Sequence, residues 1–223
     1  MEVYIIRHGE STSNIGLTHE LDCLLSPTGE KQADCLGRYL KDTHFDKIYS
    51  SHLTRAVQTA AAVAKYQQGE PEITVIPDFC ETSTPADFEA NVELQKSFYP
   101  NIKYVGTKIS DSSAIDSERL QNALDKYVIL PAITNTTEIE IKDGRERRKN
   151  PERILIATHA CAIAILMGAL VNFRFDVNMN VVQHNTCMNK VEIFLQDGIP
   201  RKRFLRYNDI SHLPDELRLA GQF

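Results

Sequence analysis

The 223-residue sequence predicts an α/β fold: a three-layer sandwich with a mostly parallel central sheet flanked by helices. Three observations carry this. Short apolar runs alternate with stretches of helical periodicity, giving strand–helix–strand–helix–strand, an interruption, then strand–helix–strand. The runs VYII at 3–6 and RILIA at 153–157 are apolar without alternation, as strands buried on both faces are. Both stop abruptly at polar residues, RHGES at 7–11 and THA at 158–160, as strands of such sheets do where reactive groups gather at their carboxyl ends.

The elements follow in order. After the first strand, Ser26-Pro27-Thr28-Gly29-Glu30 reads as a turn and helix start, with Ala33, Leu36 and Leu40 continuing at helical spacing. Residues 46–50 form a second strand. A second helix spans about 52–66 on the apolar face of Ala56, Val57, Ala60, Ala61 and Val63. Residues 73–76 form a third strand, closed by Pro77-Asp78. Regularity loosens over 82–150, an insertion expected to cap the active site, with helical segments at 87–98 and 114–129. Residues 142–152, KDGRERRKNPE, read as a charged solvated loop. A fourth strand at 153–157, an apolar helix at 160–171 and edge strands at 187–195 and 202–206 complete one domain over 1–223.

The apolar fraction of 42% and charged fraction of 25% are those of a globular protein. A net charge of −5 argues against nucleic acid or an anionic membrane as the main partner, since both select basic surfaces. It says little about an anionic small molecule, because a few arginines reverse the field inside a cleft. Five cysteines without a C-x-x-C pair suggest neither a disulfide framework nor a zinc knuckle, and Cys161, in an apolar helix, reads as core. No signal peptide opens the sequence and no apolar stretch is long enough to span a bilayer, so a cytoplasmic protein is expected. The histidines form no H-E-x-x-H pair and no carboxylate cluster accompanies them, so neither a metal nor a cofactor is expected.

Arg7-His8 and Thr158-His159 sit at strand ends, and Arg55 lies near a helix start. Phosphate chemistry needs this combination. A guanidinium matches phosphoryl oxygens with a planar fork of donors and stays charged throughout. A neutral imidazole nitrogen attacks phosphorus while a second histidine donates to the equatorial oxygens. Two nearby arginines lower the pKa of His8 and keep it neutral. Gly9 lets the backbone turn tightly, and the Ser11 and Thr12 hydroxyls serve either phosphate or the next turn.

Several segments together resemble the histidine phosphatase superfamily, the phosphoglycerate mutase-like group, over almost the whole chain: IRHGESTSN at 6–14, LSPTGEKQA at 25–33, SSHLTRAVQTA at 50–60, IATHA at 156–160, NTCM at 185–188, and Asn208-Asp209 with His212-Leu213. The resemblance implies a phosphatase in which His8 is phosphorylated and then hydrolysed. It makes His8, Glu81 and His159 the catalytic residues, and Arg7, Arg55, Asn14 and the Ala160 amide the phosphate-binding ones. Ala160 stands where the family has glycine. Glu81 is expected to protonate the leaving oxygen, but the family's E-x-x-x-G pattern is broken here by Pro85, so Asp87 and Glu89 are its substitutes. The expected partner is a phosphorylated small molecule, with a homodimer as the expected assembly. Two alternatives stand beside hydrolysis. One is mutase-type phosphoryl transfer, whose arginine pair has an echo in Arg147-Arg148; the other is a catalytically weak phospho-ligand-binding chain.

Overall fold

The computed structural model describes residues 1–134, 139–148, 150–171 and 181–218, with the backbone alone at 139 and 145–148. The strands are β1 (Glu2–Arg7), β2 (Lys47–Ser50), β3 (Ile73–Val75), β4 (Ile102–Tyr104), β5 (Ile139–Lys142), β6 (Arg145–Arg148), β7 (Arg153–Thr158), β8 (Met188–Gln196) and β9 (Ile199–Asp209). The helices are α1 (Pro27–Leu40), α2 (Thr54–Ala64), α3 (Val92–Phe98), α4 (Asp116–Leu124), α5 (Leu130–Thr134), α6 (Ala160–Val171) and α7 (Asp215–Arg218), with a π-helical turn at Asp125–Ile129 joining α4 to α5.

The strands build one sheet in the order β4-β3-β2-β7-β1-β8-β6-β5, with β9 also paired to β8. The first five are mutually parallel. β8 runs antiparallel to β1, β6 and β9, so only β8 and β5 oppose the common direction. The sheet is mostly parallel, as predicted.

The uninterrupted apolar runs explain the layers. Successive side chains of a strand point to opposite faces. In β1, Val3 and Ile5 pack with Ile154 and Ile156 of β7 against Leu120, Leu124, Ile163 and Leu166 of α4 and α6. Tyr4 and Ile6 pack with Leu155 and Ala157 against Leu36, Leu40, Val57 and Ala61 of α1 and α2. Each fully buried aliphatic side chain contributes roughly 1.5–3 kcal/mol, so both faces of β1 and β7 anchor the centre of the sheet.

Residues 82–150 join this architecture. α3 packs on α2, β4 extends the sheet edge and α4 packs on α6. The stretch 142–152, expected as a solvated loop, contains part of the β5–β6 hairpin, which turns at Asp143-Gly144 with both residues in the left-handed region. Charged side chains on a peripheral hairpin hide the period-2 signal that marks a buried strand. Among the described residues no helix is long and apolar enough to cross a membrane.

Candidate active site

Strand register assembles the site. Arg7 at the end of β1 lies opposite Thr158 at the end of β7, and the His8 amide donates to the Thr158 carbonyl at 3.0 Å. On the other side of β7, Ser50 pairs with Ala157 and the Ser51 amide donates to the Ala157 carbonyl at 2.9 Å. Three neighbouring strands therefore deliver His8, His159 and Ser51 together at their carboxyl ends. The two imidazoles stand 5.1 Å apart between ring centroids, tilted by 56°, and both are buried.

The tautomer of His8 follows from its neighbours. Nδ1 lies 2.6 Å from the Gly9 carbonyl, which can only accept, so Nδ1 carries the proton. Nε2 receives Arg55 Nε at 3.3 Å, a donor that never loses its charge, so Nε2 presents a lone pair. Burial, then Arg55 and Arg7, hold the His8 pKa well below its ordinary value. The ring is neutral, with its basic nitrogen facing a guanidinium.

Arg55 is fixed by the loop between β1 and α1. Its Nη1 donates to the Leu21 carbonyl at 2.7 Å. One residue on, the Asp22 carboxylate accepts the Thr54 amide and hydroxyl at 2.5 and 2.7 Å, supplying the N-terminal cap that Leu53 lacks. Arg7 donates from Nη1 to the Gln183 carbonyl, while its Nε is buried without a partner.

His159 Nε2 lies 2.8 Å from Ser51 Oγ, and that oxygen already accepts the Leu53 amide. His159 Nδ1 is buried and unpaired among the described residues. Burial, then Arg55, hold this pKa well below normal too. Arg7 Nε is thus a buried donor with capacity for an anion, and His159 Nδ1 joins it when it carries the ring proton.

Glu81 follows the helical turn Pro77–Phe79 beyond β3 and reaches the N-terminus of α6. Its Oε1 accepts the amides of Thr82 and Ala162 at 2.9 and 3.0 Å, and Oε2 accepts that of Cys161 at 3.3 Å. The carboxylate satisfies orphan donors of the first helical turn beside His159. Ala160 opens that turn and its amide is not among those Glu81 takes. Of the substitutes, Glu89 pairs with Lys108 at 3.2 Å on the surface and Asp87 is exposed.

Asn14 Oδ1 accepts the amide and hydroxyl of Ser11, both at 3.0 Å. The Ser11 hydroxyl thus holds the turn, and the Thr12 hydroxyl reaches the Leu24 carbonyl at 3.4 Å. Gly9 is required for a reason other than a tight turn. A Cβ there would lie 2.5 Å from the Gly29 carbonyl oxygen, and one on Gly29 only 1.9 Å from that of Glu10. The two glycines let the RHGE loop press directly on the start of α1, where Ser26 Oγ donates to Glu10 at 2.5 Å and accepts the Gly29 amide at 3.0 Å.

Sequence reasoning passed over two residues of this site. Ser51 stands in SSHLTRAVQTA, and Asn185, in NTCM, donates from Nδ2 to the His8 carbonyl at 3.1 Å and to Asn14 at 3.4 Å. Both lay inside segments already singled out, and only the fold shows what they hold. Cys161, expected in the core, is instead exposed in the first turn of α6. Its helix is apolar on nearly every face, so periodicity did not mark the open one. The Arg147 and Arg148 side chains fall outside the described residues.

Residues 3–108 match the model of the histidine phosphatase superfamily (branch 1). A broad-specificity phosphatase of Saccharomyces cerevisiae is 43% identical over 74 residues, 31% of this chain and 32% of that protein. A 2,3-bisphosphoglycerate-dependent phosphoglycerate mutase of Cytophaga hutchinsonii is 26% identical over 167 residues, 73% of this chain and 74% of the mutase. The match therefore spans about a third of the yeast phosphatase's length. A mycobacterial glucosyl-3-phosphoglycerate phosphatase, solved with VO3, shares the fold with a TM-score of 0.62 at 19% identity, over 93% of this chain and 98% of that one.

Proposed function

We propose that this chain is a histidine phosphatase, a phosphomonoester hydrolase that works without a metal through a phosphohistidine on His8. The single observation that carries the reading is the state of His8: buried and neutral, with Nδ1 bound to the Gly9 carbonyl and the Nε2 lone pair beside Arg55. An imidazole so held is a nucleophile at neutral and mildly acidic pH.

In the first step His8 Nε2 forms a bond to phosphorus as the bond from phosphorus to the ester oxygen breaks. The phosphoryl oxygens take donors from Arg55, Arg7 Nε and His159 Nδ1, which offset the charge spread over them in the transition state. Asn14 and the Ala160 amide supply further contacts. Glu81 enters this step as the carboxylic acid, with its proton on Oε2, the oxygen that accepts a single long bond, and gives that proton to the leaving oxygen. In the second step water attacks phosphorus, its proton goes to Glu81, the bond from phosphorus to nitrogen breaks, and inorganic phosphate leaves neutral His8. The name of the yeast relative and the vanadate bound to the mycobacterial phosphatase support this class of chemistry. The substrate is a phosphorylated small molecule, and a cytoplasmic setting suits five free cysteines.

Phosphate release from an aryl phosphate, abolished in His8→Ala, is the expected outcome, and undiminished release from that variant would overturn the proposal. The length of the match to the Cytophaga mutase favours one second reading, phosphoryl return to the substrate. Supplying 3-phosphoglycerate with its bisphosphate separates the two: hydrolysis yields phosphate, whereas rapid formation of 2-phosphoglycerate identifies a mutase.

A further inference from the structure

Arg119 of α4 is among the few fully buried cations described, with 3% of its surface exposed, and its guanidinium points at backbone. Nη1 donates to the carbonyls of Asp78 and Cys80 at 2.7 and 3.4 Å, and Nη2 donates to that of Glu81 at 3.3 Å. Nη2 also meets Asp116 Oδ1 at 2.7 Å. The other oxygen of Asp116 accepts the Ser83 amide at 2.8 Å, at a residue held in the left-handed region with φ 61°. The Thr84 hydroxyl adds a 2.8 Å bond to the Glu81 carbonyl.

We infer that Arg119, with Asp116, is a positioning residue that sets the Glu81 carboxyl against the leaving group. The inference rests on the assignment of Glu81 as the acid. The backbone of Glu81 is pinned from one side by α4 while its carboxylate is pinned from the other by α6, so the side chain bridges two helices across the site. A non-glycine residue at positive φ persists only where its surroundings over-determine it, and Asp116 supplies that constraint at Ser83. The sequence lacks the glycine of the family's acid loop and has Pro85 instead; a planar fork spanning several carbonyls gives the loop a fixed course by other means. Lysine, a point charge on a flexible stem, cannot span them.

The test compares Arg119→Lys, Asp116→Asn and Glu81→Gln on p-nitrophenyl phosphate and on a simple alkyl phosphate, each variant assayed below its own melting transition. An aryl oxygen leaves without much help, whereas an alkyl oxygen needs the proton. General acids contribute roughly 10²–10⁴-fold, so Glu81→Gln is expected to lose about that much with the alkyl ester and far less with the aryl one. Arg119→Lys is expected to lose roughly tenfold or more in kcat with the alkyl ester, little with the aryl ester and little in KM, and to add nothing in the Glu81→Gln background. Should Arg119→Lys fail to fold, Asp116→Asn, at a partly exposed position, is expected to show the same selective loss in smaller measure. Equal losses on both esters, or losses that multiply with Glu81→Gln, would overturn the positioning role. If Glu81→Gln is selective and the α4 variants are not, this inference alone fails. If Glu81→Gln is not selective, the acid assignment fails and the inference with it.

Discussion

Acidification from pH 7 to pH 5 is expected to weaken the fold through two histidines that the chemistry does not use. His52 and His212 both have pKa values lowered to about 4, in each case chiefly by burial. His212 has one ring hydrogen bond, Thr186 Oγ1 at 3.2 Å from Nε2, and its Nδ1 is buried without one among the described residues. In the unfolded chain both titrate near 6.5, so between the two values the unfolded state binds protons that the fold refuses, and stability falls as pH falls. The loss begins near pH 6.5 and saturates below about pH 4. Between pH 7 and pH 5 each histidine removes about 2 kcal/mol, and the pair about 4, against a typical total of roughly 5–15 kcal/mol. His8 and His159, held low by burial and the arginines, act in the same direction. Urea denaturation of the parent and His212→Gln at pH 7, 6 and 5 isolates one contribution. The variant should lose about 2 kcal/mol less than the parent over this range. A variant that weakens as steeply as the parent would mean that His212 takes its proton in the folded state, refuting the burial argument.

Two further substitutions probe the site. Gly9→Ala places a methyl 2.5 Å from the Gly29 carbonyl oxygen, so the phosphate loop must move; we expect roughly 1–3 kcal/mol less stability in denaturant melts and a kcat loss on the order of 10²-fold. Ser51→Ala removes the hydrogen bond that orients His159, and it should lower kcat roughly tenfold while costing about 1 kcal/mol of stability, with His8 still phosphorylated on single turnover.

The legible parts of the molecule were those fixed by local pattern. VYII and RILIA announced themselves because both faces of β1 and β7 are buried, and the polar residues after them marked where His8 and His159 would emerge. β4, only three residues long, and the hairpin of β5 and β6 lay at opposite ends of the sheet, where short length or charge erases alternation. The reason for Gly9 was misread because it depends on Gly29, twenty residues away and met only after the loop folds back on α1. Arg119 was invisible for the same cause: besides Asp116 its partners are backbone carbonyls up to 41 positions distant, and a carbonyl carries no sequence signal.

The phosphohistidine is tested most directly by quenching the protein during turnover and mapping the phosphoryl group it carries. An acid-labile phosphoenzyme on His8 is expected, formed and lost at rates that support kcat and absent from His8→Ala. Turnover without any phosphoenzyme, or a phosphoryl group on another residue, would contradict the role of His8.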